Sequence, residues 1–135
     1  VSVSTSGGLT TQSNSKIEAK TGEANVTGAT STIGGTVSGK TVSVTASSGG
    51  LTVGGGARIK ATEGAATLTA SSGKLTTQTG STISGASSVT TSSQSGDISG
   101  TISGDTVSVS TSGGLTTQSN SKIEAKTGEA NVTGA

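Results

Sequence analysis

Apolar residues in this chain alternate with Ser, Thr or Gly over three to five positions, then stop at a glycine-containing break. Three such stretches recur in a fixed order. The first is V-x-V or a relative of it: Val1/Val3, Ala24/Val26, Val42/Val44, Ala66/Leu68, Val89/Thr91 and Val107/Val109. The second centres on one aliphatic residue, in turn Leu9, Ile33, Leu51, Leu75, Ile98 and Leu115. The third does the same with Ile17, Val37, Ile59, Ile83, Ile102 and Ile123. A period of two is the mark of a strand with one buried face. The breaks, SGG, TGE, SGK and SGD among them, are turn sequences. No helical apolar period survives for two turns, and Gly and β-branched residues are spread throughout, so helix is excluded.

The order strand–turn–strand–turn–strand–turn repeats every 18 to 24 residues. Six rungs fit, and a seventh starts near Ala130. Residues 1–29 also return letter for letter as residues 107–135. Self-similarity at this period predicts a solenoid, whose units bury their apolar faces only against each other. The expected architecture is all-β: a single parallel β-helix over residues 1–135, three short strands per rung, with no linker. Three inner columns are predicted. Val3, Val26, Val44 and Leu68 stack in the first, followed by Thr91. Leu9, Ile33, Leu51, Leu75, Ile98 and Leu115 form the second, and Ile17, Val37, Ile59, Ile83, Ile102 and Ile123 the third. Rungs two and five are the shortest, so their turns should be the tightest.

Composition supports this reading. Apolar residues make up 27 % of the chain, and aromatics, Cys, Met, Pro and His are absent. A globular core from so little material would be thin. A Ser/Thr/Gly-rich chain of this kind is either disordered or a solenoid needing only narrow aliphatic stacks. A disordered mucin-like stalk would carry Pro, and it would show no columns. With eight basic and seven acidic side chains, net charge is +1. No basic patch and no aromatics for base stacking offer themselves to nucleic acid. No run has the length of a membrane-spanning helix. No secretory leader opens the sequence. Because both ends fall inside repeats, an internal stretch of a longer repeat protein is expected.

Catalytic chemistry has little to work with. Without His or Cys there is no general base or nucleophile of the usual kind. Asp97 and Asp105 lie in one rung but across a turn, and the glutamates Glu18, Glu23, Glu63, Glu124 and Glu129 are scattered. These read as solvated carboxylates. The run Gly54–Arg58 lacks the Lys-Ser/Thr ending of a phosphate loop and reads as a turn. No Asp follows the glycines in the pattern of calcium-binding repeats. No cofactor or metal site is expected. Ice binding would need paired Thr ranks on a flat face. The outward rank beside the second column is expected to run Thr10, Gly34, Thr52, Thr76, Ser99, Thr116, which is one residue wide and broken twice. Two N-x-S/T sequons occur, at Asn25-Val26-Thr27 and at its copy Asn131-Val132-Thr133. Alternation turns Asn25 and Thr27 outward around an inward Val26.

The phrases TTSSQSGDISGTISGDTVSVSTSGGLTTQSNSKIEAKTGEANVTGA and EGAATLTASSGKLTTQTGSTI resemble the repetitive C-terminal region of high-molecular-weight bacterial adhesins. These adhesins are of the filamentous-haemagglutinin, two-partner-secretion class. The resemblance spans nearly the whole chain. It implies a right-handed parallel β-helix, secreted to the bacterial outer surface through an outer-membrane transporter partner. It implies attachment to a host-cell receptor or glycan through other parts of the full-length adhesin. It also implies hexose addition at Asn25 and Asn131 by a cytoplasmic N-hexosyltransferase. The chain departs from the family in lacking the N-terminal secretion domain and in having Ser and Lys in SGKTVSV, where more Asn is expected.

Two functions follow as expectations. The first is a structural shaft segment that works through length and rigidity. The second is a binding module that touches glycan or protein with its Lys/Arg/Glu third face or its hydroxyl-rich faces. A β-helix enzyme is a further reading with little support. With an open strand edge and apolar residues at each end, end-to-end self-stacking is also expected.

Overall fold

The computed structural model describes residues 1–135, and they form a parallel β-solenoid without any helix. Six complete rungs stack, and the strand Ala130–Thr133 begins a seventh. Every rung-to-rung ladder is parallel. On the first face Val3, Val26, Val44, Leu68, Thr91, Val109 and Val132 are in register, one above the next. On the third face Ile17, Val37, Ile59, Ile83, Ile102 and Ile123 do the same. The pleat sends these residues inward and their neighbours to water. Each inner wall is therefore a column of stacked β-branched or aliphatic side chains. Twenty-three buried apolar residues make one continuous core, with Leu9, Ile17, Leu115 and Ile123 half-buried at its two ends. A fully buried aliphatic contributes about 1.5–3 kcal/mol, so narrow columns stabilise a chain this poor in apolar residues.

The ladder does not stop at the turns. Ser47 N–H donates to the Gly28 carbonyl at 2.8 Å, Thr62 to Gly39 at 2.8 Å and Gln78 to Val53 at 2.9 Å. Corners thus stack on corners, and backbone hydrogen bonds between rungs continue through the turns. The run Gly54–Arg58 is one of these corners. Ala57 N–H closes a turn onto the Gly54 carbonyl at 3.0 Å, and Gly56 takes φ 80°.

The structure departs from the expected pattern in three places. First, strands on faces one and two are not always separate. In rungs four and five a single bent strand, Ala66–Thr77 and Ser88–Ile98, runs round the corner, so faces one and two form one 11-stranded sheet beside the 6-stranded third face. Second, the second face has two inner columns. Leu9, Leu51, Leu75 and Leu115 share one of them with Ser31 and Gly96. Ile33 and Ile98 belong to the other, in register with Thr11, Val53, Thr77 and Thr117. Third, the outward rank between these columns is Thr10, Thr32, Thr52, Thr76, Asp97 and Thr116, without Gly34 or Ser99.

The last two departures have one cause. Rung two spends 18 residues between Val26 and Val44, whereas rung three spends 24 between Val44 and Leu68. The short rungs cut each corner, and the leucine position then has no room for leucine. A Cβ on Gly96 would lie 2.7 Å from Cδ1 of Leu115 in the rung above. Ser31 is 1 % exposed and donates its hydroxyl to the Thr45 carbonyl at 3.2 Å. The long rungs' leucines fill the space the short rungs give up.

The third corner follows a companion rule. After the Ile/Val of face three, the inner position is Gly39, Ala61, Gly85, Gly104 and Ala125 in register. Alanine occurs where three or four residues follow before the next strand, and glycine where only one or two do. A Cβ on Gly39 would stand 2.8 Å from the Thr41 carbonyl oxygen, and one on Gly104 would stand 3.0 Å from that of Thr106. Close approach of the returning backbone therefore selects glycine.

Candidate functional site

Three surfaces carry side chains that could meet a partner. The first face presents two outward ranks. One runs Ser2, Asn25, Ser43, Thr67, Thr90, Ser108 and Asn131, and the parallel one Ser4, Thr27, Thr45, Thr69, Ser92, Ser110 and Thr133. The grid is uncharged because every position is Ser, Thr or Asn. Only rung four pairs two threonines, Thr67 and Thr69, so the methyl-and-hydroxyl array that ice binding needs is confined to one rung.

Both sequons lie on this grid. Asn25 is half-buried between Ser2 below and Ser43 above, with Thr27 beside it on the same side. Small hydroxyl neighbours leave space over its amide. Its backbone N–H is fixed to the Val1 carbonyl at 2.8 Å, and its strand is paired on both edges. Asn131 is exposed, and its Nδ2 donates to the Glu129 carboxylate at 3.3 Å. Its strand is paired only from below. The two sequons share a sequence and differ in surroundings because one is covered by a further rung.

The second face holds the one outward carboxylate set between two rungs. Asp97 accepts from Gln118 Nε2 above at 3.0 Å and meets Lys74 Nζ below at 3.5 Å. The Gln118 hydrogen bond, more than the Lys74 charge, holds its carboxyl below the usual aspartate range against a smaller opposing effect of burial. Asp105 lies eight residues further on, at the third corner of the same rung, and joins no such set. No group of three or more His, Cys, Asp or Glu converges where it could hold a metal ion.

The third face carries six of the fifteen charged side chains, more than either other face. Its outward ranks are Lys16, Thr36, Arg58, Thr82, Thr101, Lys122 and Glu18, Ser38, Lys60, Ser84, Ser103, Glu124. Lys16–Glu18 and Lys122–Glu124 close ion pairs at 3.0 and 2.9 Å across one strand. The Lys122 hydrogen bond and charge hold Glu124 below its ordinary range. At the edge of this face is a shallow notch of about 250 Å³, lined by Lys60, Thr62, Ser84 and Lys126 over a floor of Ala61 and Gly85. It exists because the third corner is long in rungs three and six and short in rungs four and five. The protein's four ion pairs leave Lys60 and Lys126 free. This juxtaposition was not legible in the sequence, since it depends on which corners protrude.

No protein-family model matches the chain, and neither a curated protein nor a solved structure matches it.

Proposed function

We propose that this chain is a shaft segment of a secreted, surface-attached bacterial adhesin, serving by length and stiffness. The observation that supports this reading is the parallel ladder that continues from rung to rung on all three faces, with hydrogen bonds between stacked corners and one register shift between Ala70 and Lys74. Such a stack is extended by adding rungs and resists bending because each rung is hydrogen-bonded to the next on all three faces and at its corners. The resemblance of its phrases to two-partner-secretion adhesins supplies the biological setting. In that setting an outer-membrane transporter exports the chain and other parts of the adhesin engage the host receptor or glycan. A cytoplasmic N-hexosyltransferase modifies Asn25 and Asn131. Because Asn25 lies in a strand paired on both edges, an enzyme reading Asn-Val-Thr as free backbone has to act before the rungs close.

The deciding experiment uses the purified chain on cultured epithelial cells. A shaft leaves no cell-associated protein after washing and does not compete with attachment of bacteria displaying a resembling full-length adhesin. Saturable binding would end the shaft reading. A second reading, direct binding of an anionic glycan, is favoured by the notch with its two free lysines, and would be lost in Lys60→Ala/Lys126→Ala. Modification is tested separately. Protein made in a host that supplies the hexosyltransferase should show mass increments of whole hexose residues on the peptide holding Asn25. Their absence removes the glycosylation part alone.

A further inference from the structure

We infer that the chain contains one complete translational period of its solenoid, five rungs and 106 residues from Val1 to Thr106, and that this period's two ends fit each other. The inference is independent of any role on a cell surface.

Identical sequence alone would not establish a structural period, because residues 1–29 and 107–135 have different neighbours. The structure gives them the same first-face strand pairing where both have a neighbour above, although Thr5 accepts from Gly7 N–H and its copy Thr111 donates to the Gly113 carbonyl. Ser2, Val3 and Ser4 pair with Asn25, Val26 and Thr27, and 106 residues later Ser108, Val109 and Ser110 pair with Asn131, Val132 and Thr133. The Val1 amine donates to the Glu23 carbonyl at 2.8 Å, and Val107 N–H to that of Glu129 at 2.9 Å. Ala29 N–H reaches Gly7 at 2.8 Å, and Ala135 reaches Gly113 at 2.9 Å. The third-face ion pair repeats as well, at 3.0 and 2.9 Å.

Rung six is therefore rung one again, and it lies on rung five. Val109 covers Thr91, Leu115 fits over Gly96, and Ile123 covers Ile102. Every interface needed for an endless stack is thus already present: one-on-two through four-on-five, and five-on-six as the junction. The half-buried Leu115 and Ile123 at the upper edge correspond to Leu9 and Ile17, whose partners above are Ser31 and Val37. The occupant that fits this edge is a second copy of the period, entering in phase with Thr30. A second chain entering with Val1 does not fit. The strand Ala130–Thr133 already covers the first face, and rung one is a long rung whose partner below is the short rung five. Identical ends are alike without being complementary. Head-to-tail contacts of this kind do not close, so they propagate as a rod, and exchange between the two identical copies adds or removes whole periods without a register error.

The test compares two extended chains with the parent. The in-phase chain is residues 1–135 followed by a copy of 30–135. The out-of-phase chain is residues 1–135 followed by a complete second 1–135. By small-angle scattering the in-phase chain should be longer than the parent by about 24 Å, five steps of about 4.8 Å, with unchanged cross-section. It should unfold in urea in one transition, and amides 115–125 should gain hydrogen-exchange protection over the parent. The out-of-phase chain should scatter as two bodies or unfold in two steps. The inference is overturned if the in-phase chain aggregates, unfolds in two steps or leaves amides 115–125 unprotected. It is equally overturned if the out-of-phase chain forms a single rod.

Discussion

Thr91 and Thr77 are both inward threonines in mid-solenoid, 0 % and 1 % exposed, and the same substitution should act on them in opposite directions. Thr91 stands in the first column between Leu68 and Val109, and its Oγ1 has no hydrogen-bond partner. A buried hydroxyl without a partner costs about 1–3 kcal/mol in lost hydration. Thr91→Val keeps the branched shape and its restricted χ1, removes that cost and adds a methyl worth about 0.8 kcal/mol. Allowing for some crowding from the larger methyl, the expected gain is about 1–2 kcal/mol. Thr77 differs because its Oγ1 accepts from Ser99 N–H at 3.2 Å and Gly100 N–H at 3.3 Å. Ser99 N–H keeps a second acceptor, the Thr77 carbonyl at 2.9 Å, but Gly100 N–H has none. Thr77→Val leaves that donor unpaired inside the corner and should cost about 1–2 kcal/mol. Urea melts at neutral pH read both, as midpoints moving in opposite directions at unchanged slope. If Thr91→Val lowers the midpoint, or if the two variants move together, the hydrogen-bond assignment at these two positions is wrong.

Three further outcomes are expected. Gly39→Ala should destabilise by about 1–3 kcal/mol through contact with the Thr41 carbonyl, while Ala61→Gly, at the equivalent place on a long corner, should lose only about 1 kcal/mol; equal effects in urea would show that corner length does not select the residue. Ile59→Ser should cost about 2–4 kcal/mol by emptying mid-column and burying a hydroxyl, against about 0.5 kcal/mol or less for outward Thr52→Ser; similar losses would mean that the facing is misassigned. Asp97 has a carboxyl pKa held below its unfolded value near 3.9, so the unfolded chain binds its proton first as pH falls. Its stabilisation is full above that value and lost as pH drops through the lower folded value. The urea midpoint should therefore decline more between pH 5 and pH 2 in the parent than in Asp97→Asn, and parallel declines would refute the role of the Gln118 contact.

The sequence by itself determined the fold class, the number of rungs and two of the three inner walls. Alternation over short stretches decides which face of a strand is buried, and the regular return of Val3, Val26, Val44 and of Ile17, Val37, Ile59 leaves only one stacking that keeps them inside. It also marked rungs two and five as short. What it left undetermined was the register of the second face. Ile33 and Ile98 are the only large aliphatics near that position in their rungs, so matching by residue type aligns them with Leu9 and Leu51. In the folded chain the shortened corners move them into the next inner column and leave Ser31 and Gly96 beside the leucines. That choice depends on how much space Leu115 and Leu9 fill from adjacent rungs, a quantity no single rung contains. The same holds for the notch between Lys60 and Lys126, which exists only where short corners lie between long ones. It holds for the fate of the two inward threonines too, one satisfied by Gly100 and one by nothing. Local pattern fixes which way a side chain points, whereas its neighbour in the next rung, about 20 residues away along the chain but one strand spacing away in space, decides what it meets.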